Sequence, residues 1–99
     1  MIQKEDILNY LLINKELFQT QFSITKIGIF GSFARNEQSE DSDIDIIMEL
    51  QAGTIDIYEK KFKLKKLLKK KFRRDVDICR EQAIKPLFRE MILKDAIYV

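Results

Sequence analysis

Histidine and tryptophan are absent from this 99-residue chain, and cysteine and proline occur once each. Without an imidazole, no Ser-His-Asp or Cys-His nucleophile can be assembled within the chain, and zinc sites that need histidine are excluded as well. Lone Cys79 cannot form an internal disulfide, so a reducing cytoplasm is the expected compartment. No basic-then-apolar leader opens the chain, and no apolar run approaches the roughly 20 residues of a bilayer span, so a soluble protein without membrane association is expected. Charge nearly balances, with 18 Lys plus Arg against 16 Asp plus Glu, and a net +2 is too small to argue for a polyanionic partner. The length fits one domain, residues 1–99, around one main core, with a radius of gyration on the order of 13 Å. Carboxylate and metal chemistry remain open.

What is present reads as a mixed α/β (α+β) chain. Ile7, Leu11 and Phe18, with Leu8, Leu12 and Leu17 beside them, predict an amphipathic helix from Met1 to about Thr20. Ile24–Phe30 is β-branched and aromatic-rich and ends at Gly31-Ser32, which predicts a strand, a tight turn and a short helix over 33–37. After a polar loop over 36–42, residues 43–50 read as a largely buried strand. Residues 56–72 turn helical, with Ile57, Leu64 and Leu68 on one face; 76–79 form a third strand; Pro86 opens a last helix; and 96–99 add a short terminal strand.

Asp43-Ile44-Asp45 carries the chemistry. Positions two apart on a strand project to the same side, about 6.6 Å apart, so both carboxylates face one site. Two such charges at ~4 Å and an effective dielectric near 20 repel by about 4 kcal/mol, which protonation or a cation must offset. A divalent metal does so, and an all-oxygen donor set favours Mg²⁺ or Mn²⁺. If the third strand lies beside this one, Asp77 completes a three-acid cluster, with Asp75 as the rival on the same face. Two metals held in that way activate a hydroxyl and neutralise a leaving pyrophosphate, which is nucleotidyl transfer. Gly31-Ser32 suits the same reaction, since glycine lets backbone approach a phosphate and free N–H groups at a helix start favour anions. Taken singly, Asp-x-Asp is common in loops and Gly-Ser in plain turns; their combination is specific.

Gly31-Ser32-Phe33-Ala34-Arg35, Ser42-Asp43-Ile44-Asp45-Ile46 and Asp75-Val76-Asp77-Ile78 together resemble the minimal nucleotidyltransferase (MNT) branch of the DNA polymerase beta superfamily. The segments Lys85-Pro86-Leu87-Phe88-Arg89-Glu90 and Ala96-Ile97-Tyr98-Val99 look like its C-terminal part, so the likeness spans nearly the whole chain. One departure is Asn36, where the family usually carries glycine; asparagine tolerates positive φ, so the turn is expected to survive. The resemblance implies a polymerase-beta-like fold, a small mixed sheet flanked by helices. It implies Gly31 and Ser32 in the nucleotide-binding turn, and Asp43, Asp45 and Asp77 as catalytic, metal-binding acids for two Mg²⁺ ions. By the same likeness Asp77 completes the catalytic metal site and helps deprotonate the acceptor. ATP is the expected substrate. The expected partner is a HEPN-domain toxin, neutralised by AMP placed on a tyrosine hydroxyl. A non-catalytic antitoxin acting by steric binding, and a nucleotidyltransferase acting on RNA or a small molecule, are the alternatives.

Three further features bear on the site. Arg35, about one helical turn beyond Ser32, is placed either to orient a phosphate or to pair with Glu37 or Asp41. Residues 60–74 hold ten Lys and Arg and no acid; this is either a solvated helix face or a dock for an acidic partner or RNA, and Arg73 and Arg74 are the ones placed to reach a nucleotide. Cys79 and the tyrosines Tyr10, Tyr58 and Tyr98 are expected to serve packing.

Overall fold

The computed structural model describes residues 2–99. Its elements run α1 (Lys4–Ile13), α2 (Lys15–Phe22), β1 (Ile24–Phe30), α3 (Gly31–Ala34), β2 (Ile44–Leu50), α4 (Ile57–Phe72), β3 (Val76–Arg80), a 3₁₀ turn (Glu81–Ala83), α5 (Pro86–Asp95) and β4 (Ile97–Tyr98). The radius of gyration is 12.8 Å. No helix among the described residues is long and apolar enough to cross a membrane.

The expected N-terminal helix is two helices. Asn14 breaks it: its backbone N–H and its side-chain Nδ2 both donate to the Tyr10 carbonyl, at 3.1 and 2.8 Å. A side chain competing for backbone acceptors is the usual reason asparagine ends helices. The break turns Phe18 and Phe22 into the core beside Ile7 and Leu11, while Leu12 and Leu17 stay exposed. Met1, which the sequence placed in this helix, lies outside the described residues.

The sheet order is β3-β2-β1-β4. β1 pairs antiparallel with β2 and β4, whereas β2 and β3 are parallel, so the sheet is mixed. A parallel pair needs a long crossover, and α4 supplies it. One face of the sheet contributes Ile27, Ile29, Ile44, Ile46, Val76 and Ile78 to a core completed by Leu64 and Leu68 of α4 and by α1 and α2. Side chains alternate along a strand, so Asp45 and Asp77 are left on the opposite face. Gly28 makes β4 possible: a Cβ there would lie 2.7 Å from both the Ile97 carbonyl carbon and the Tyr98 Cα.

Candidate active site

At one end of the sheet, β1 finishes where β2 and β3 begin. Register places Phe30 opposite Asp45 and Asp45 opposite Asp77. The backbones of neighbouring strands are about 4.8 Å apart, so Asp45 and Asp77 stand side by side on one face. Asp43, just before β2, lies near enough for its charge to act on Asp45. Asp75, the rival third acid, instead pairs with Lys69 at 3.2 Å, and its carbonyl accepts the Ile44 N–H at 2.9 Å. Strand register therefore brings Asp77 to Asp45 and leaves Asp75 with a cation of its own.

Gly31 follows β1 with φ +74°, a left-handed conformation that side chains rarely adopt. A Cβ on it would collide with the Oδ2 of Asp45 and sit 3.0 Å from its Cγ. The missing side chain is thus the space the Asp45 carboxylate occupies. Burial in that notch, then the charges of Asp77 and Asp43, push the Asp45 carboxyl up to about 6, against a smaller opposing pull from Arg35. A carboxylate held up in this way is short of positive charge. The donors present, carboxylates without imidazole or paired thiols, suit a hard divalent cation. Among the described residues, no group of three or more His, Cys, Asp or Glu stands close enough to hold a metal ion; register sets Asp45 and Asp77 side by side as a pair.

The remaining turn agrees. α3 is one turn long and begins at Gly31 rather than Phe33, because Arg35 N–H already closes onto the Gly31 carbonyl at 3.1 Å. Ser32 stands at its start, and its carbonyl accepts the Glu37 N–H at 2.9 Å. Asn36 takes φ 59°, the positive angle expected of it.

Comparison with known proteins decides the family: the nucleotidyltransferase domain matches residues 9–99. The chain belongs to that family. A Methanocaldococcus jannaschii protein inferred to be a protein adenylyltransferase is 40% identical over 95 residues, covering 95% of each chain. Protein adenylyltransferase MntA of Thermococcus cleftensis is 29% identical over 99 residues, covering 100% of this chain and 98% of its own. A solved structure assigned as a minimal nucleotidyltransferase superposes with a TM-score of 0.77 at 28% identity, covering 97% of this chain and 95% of the other. A toxin–antitoxin complex solved with AMP-PNP shares the fold, with a TM-score of 0.69 at 22% identity over 98% of this chain and 72% of the other. The protein is thus a nucleotidyltransferase of the minimal type with the expected mixed-sheet fold.

Several neighbours of the candidate site differ from expectation. Arg74 does not reach toward a nucleotide: its guanidinium donates to the carbonyls of Ser39, Glu40 and Ser42 at 3.1, 2.9 and 2.7 Å and lies 5.3 Å over the Phe33 ring. It pins the loop that delivers Asp43. Arg35 pairs with Glu37 at 3.2 Å, as one reading allowed, and with Asp95 of α5 at 2.8 Å, a partner 60 positions away. Tyr58 is not a packing residue, being 83% exposed. Tyr98 does pack, and its hydroxyl donates to Glu81 at 2.6 Å, beside a Lys26–Glu81 pair of 2.7 Å. Cys79 is half-buried, and burial raises its thiol pKa.

Sequence reasoning missed Glu49, a carboxylate only 6% exposed. Its oxygens accept from the Leu50 and Gln82 N–H groups, both at 2.9 Å, and from the Arg80 guanidinium at 2.8 and 2.9 Å. Burial works to raise its pKa, but these donors outweigh it and the net shift is downward. An acid inside an otherwise apolar strand was the available signal.

Proposed function

We propose that this nucleotidyltransferase is a Mg²⁺-dependent protein adenylyltransferase acting in the cytoplasm as an antitoxin. Its single domain moves AMP from ATP to a tyrosine hydroxyl of a HEPN-domain toxin. The observation that carries the reading is Asp45, set opposite Asp77 in register and seated in the notch at Gly31. The names of its relatives, and the toxin–antitoxin complex with AMP-PNP that shares its fold, support the substrate and the partner.

Asp43 and Asp45 would hold the metal ions, with Asp77 completing one of the two sites. Bound there, Mg²⁺ supplies charge neutralisation for the carboxylates and for the leaving pyrophosphate. Gly31 and Ser32 present backbone to the triphosphate, and Arg35, anchored by Glu37 and Asp95, contributes positive potential at the far end of that turn. The acceptor oxygen attacks the α-phosphorus. The bond from that phosphorus to the bridging oxygen of the β-phosphate breaks, pyrophosphate leaves, and the hydroxyl proton passes to Asp77.

Incubating the protein with α-labelled ATP, Mg²⁺ and its cognate partner tests this directly. Label should appear on a partner tyrosine and vanish with Asp43→Asn or Asp45→Asn. Absence of transfer from every common nucleoside triphosphate removes the catalytic reading. A folded Asp43→Ala plus Asp45→Ala variant that still neutralises the toxin makes neutralisation steric.

A further inference from the structure

The exposed face of α4 combines a pair of exposed aromatic rings with a row of lysines. Tyr58 and Phe62, 83% and 55% exposed, follow one another at helical spacing, about 6 Å apart along the axis. Lys61, Lys65 and Lys66 border them, and no acidic side chain pairs with these three among the described residues. Two shallow grooves share the ring pair. One, of about 210 Å³, is lined by Tyr58, Lys61, Phe62 and Lys65; the other, of about 500 Å³, by Tyr58, Phe62, Lys65, Lys66 and Lys69.

From this we infer that α4 binds single-stranded nucleic acid through base stacking on Tyr58 and Phe62 and phosphate contacts from Lys61, Lys65 and Lys66. Flat rings spaced for consecutive bases of an extended strand, flanked by cations, are the two components of sequence-tolerant single-strand binding. Charge complementarity selects a polyanion: ten cations and no acid fall in residues 60–74. The type of apolar surface selects nucleic acid over a protein helix. Beyond Phe62 the exposed stripe of α4 is lysine, with no aliphatic trough for a helix to fill. By contrast, α5 exposes Leu87, Phe88 and Met91, an aliphatic-rich surface of the kind protein partners use. The larger groove reaches the side of the acidic residues through Lys69, which pairs with Asp75, and the binding inferred for α4 does not depend on the reaction proposed for those acids.

Fluorescence anisotropy of the full chain with a labelled single strand of about twelve nucleotides, oligo-U and oligo-dT, measured across a salt series, tests the inference. Binding should weaken linearly in log–log form with rising salt, with a slope near −2 for about three phosphates contacted. Tyr58→Ala and Phe62→Ala should each lower affinity by about tenfold or more without changing that slope. Lys65→Gln should lower affinity and make the slope shallower by about 0.7. Circular dichroism melts unchanged from wild type would confirm that each variant is folded. The inference is overturned by absence of binding at 50 mM salt, by equal affinity for a duplex, by equal competition from polyglutamate, or by aromatic variants that bind as wild type does.

Discussion

Asp45→Asn should make this protein more stable while removing its chemistry. The carboxyl is raised from 3.8 to about 6 by burial against Gly31 and by the neighbouring charges of Asp77 and Asp43. A shift of that size is equivalent to ~3 kcal/mol when fully buried. Asp45 is only half-buried, and solvent screening reduces the effect to ~1.5 kcal/mol. The sign follows from proton uptake. Between the unfolded value of 3.8 and the folded value of about 6, the folded state binds more protons, so stability falls as pH rises through that window and the penalty is complete above it. Asparagine is neutral at all these values and escapes the penalty. Thermal melts at pH 7.5 should therefore place Asp45→Asn about 5–10 °C above wild type, given the few degrees per kcal/mol of a chain this size. Near pH 4 the difference should nearly vanish. Saturating Mg²⁺ should raise the wild-type melting temperature and leave the variant almost unmoved. A variant that melts no higher than wild type at pH 7.5, or that keeps its increment at pH 4, would show that crowding of like charge does not load this carboxylate.

Gly31→Ala should lower label transfer by at least about tenfold, because the new Cβ displaces the Asp45 carboxylate and its φ of +74° costs ~1–2 kcal/mol for an L-residue; paired activity and melting measurements check that activity falls further than stability. Arg74→Ala removes three donations to the 39–42 loop and should cost ~1–3 kcal/mol. Hydrogen exchange should then rise in that loop ahead of the sheet, and unchanged protection there would refute the clamp. Glu49→Ala strands Arg80 and two N–H groups and should destabilise by ~3 kcal/mol in urea titration. Since Glu49 sits below its ordinary 4.5, its contribution is present above that value and lost as pH falls through the folded pKa, so wild type and variant should converge in acid.

Local rules carried much of the fold. β1 occupies the residues its β-branched pattern marks, α4 begins one residue from its expected start, and Pro86 opens α5. The glycine turn after β1 and the tolerance of Asn36 for positive φ are properties of a few consecutive residues, and they were legible for that reason. The family likeness rested on those same short motifs.

Contacts between distant segments were not legible, because spacing along the chain does not encode pairing across it. The choice of Asp77 over Asp75 as the neighbour of Asp45 depends on the β2–β3 register and on Lys69 taking up Asp75. Arg74 spends its donors on carbonyls more than thirty positions away, Arg35 meets Asp95, and Glu49 meets Arg80; each pair is joined only when α4 returns the chain to the sheet and α5 closes beside it. The sequence by itself determined which side chains could do the chemistry, since alternation and turn propensity act over a few bonds. Tertiary structure decided which of them meet, because that depends on strand order and register, set by burial of the whole core.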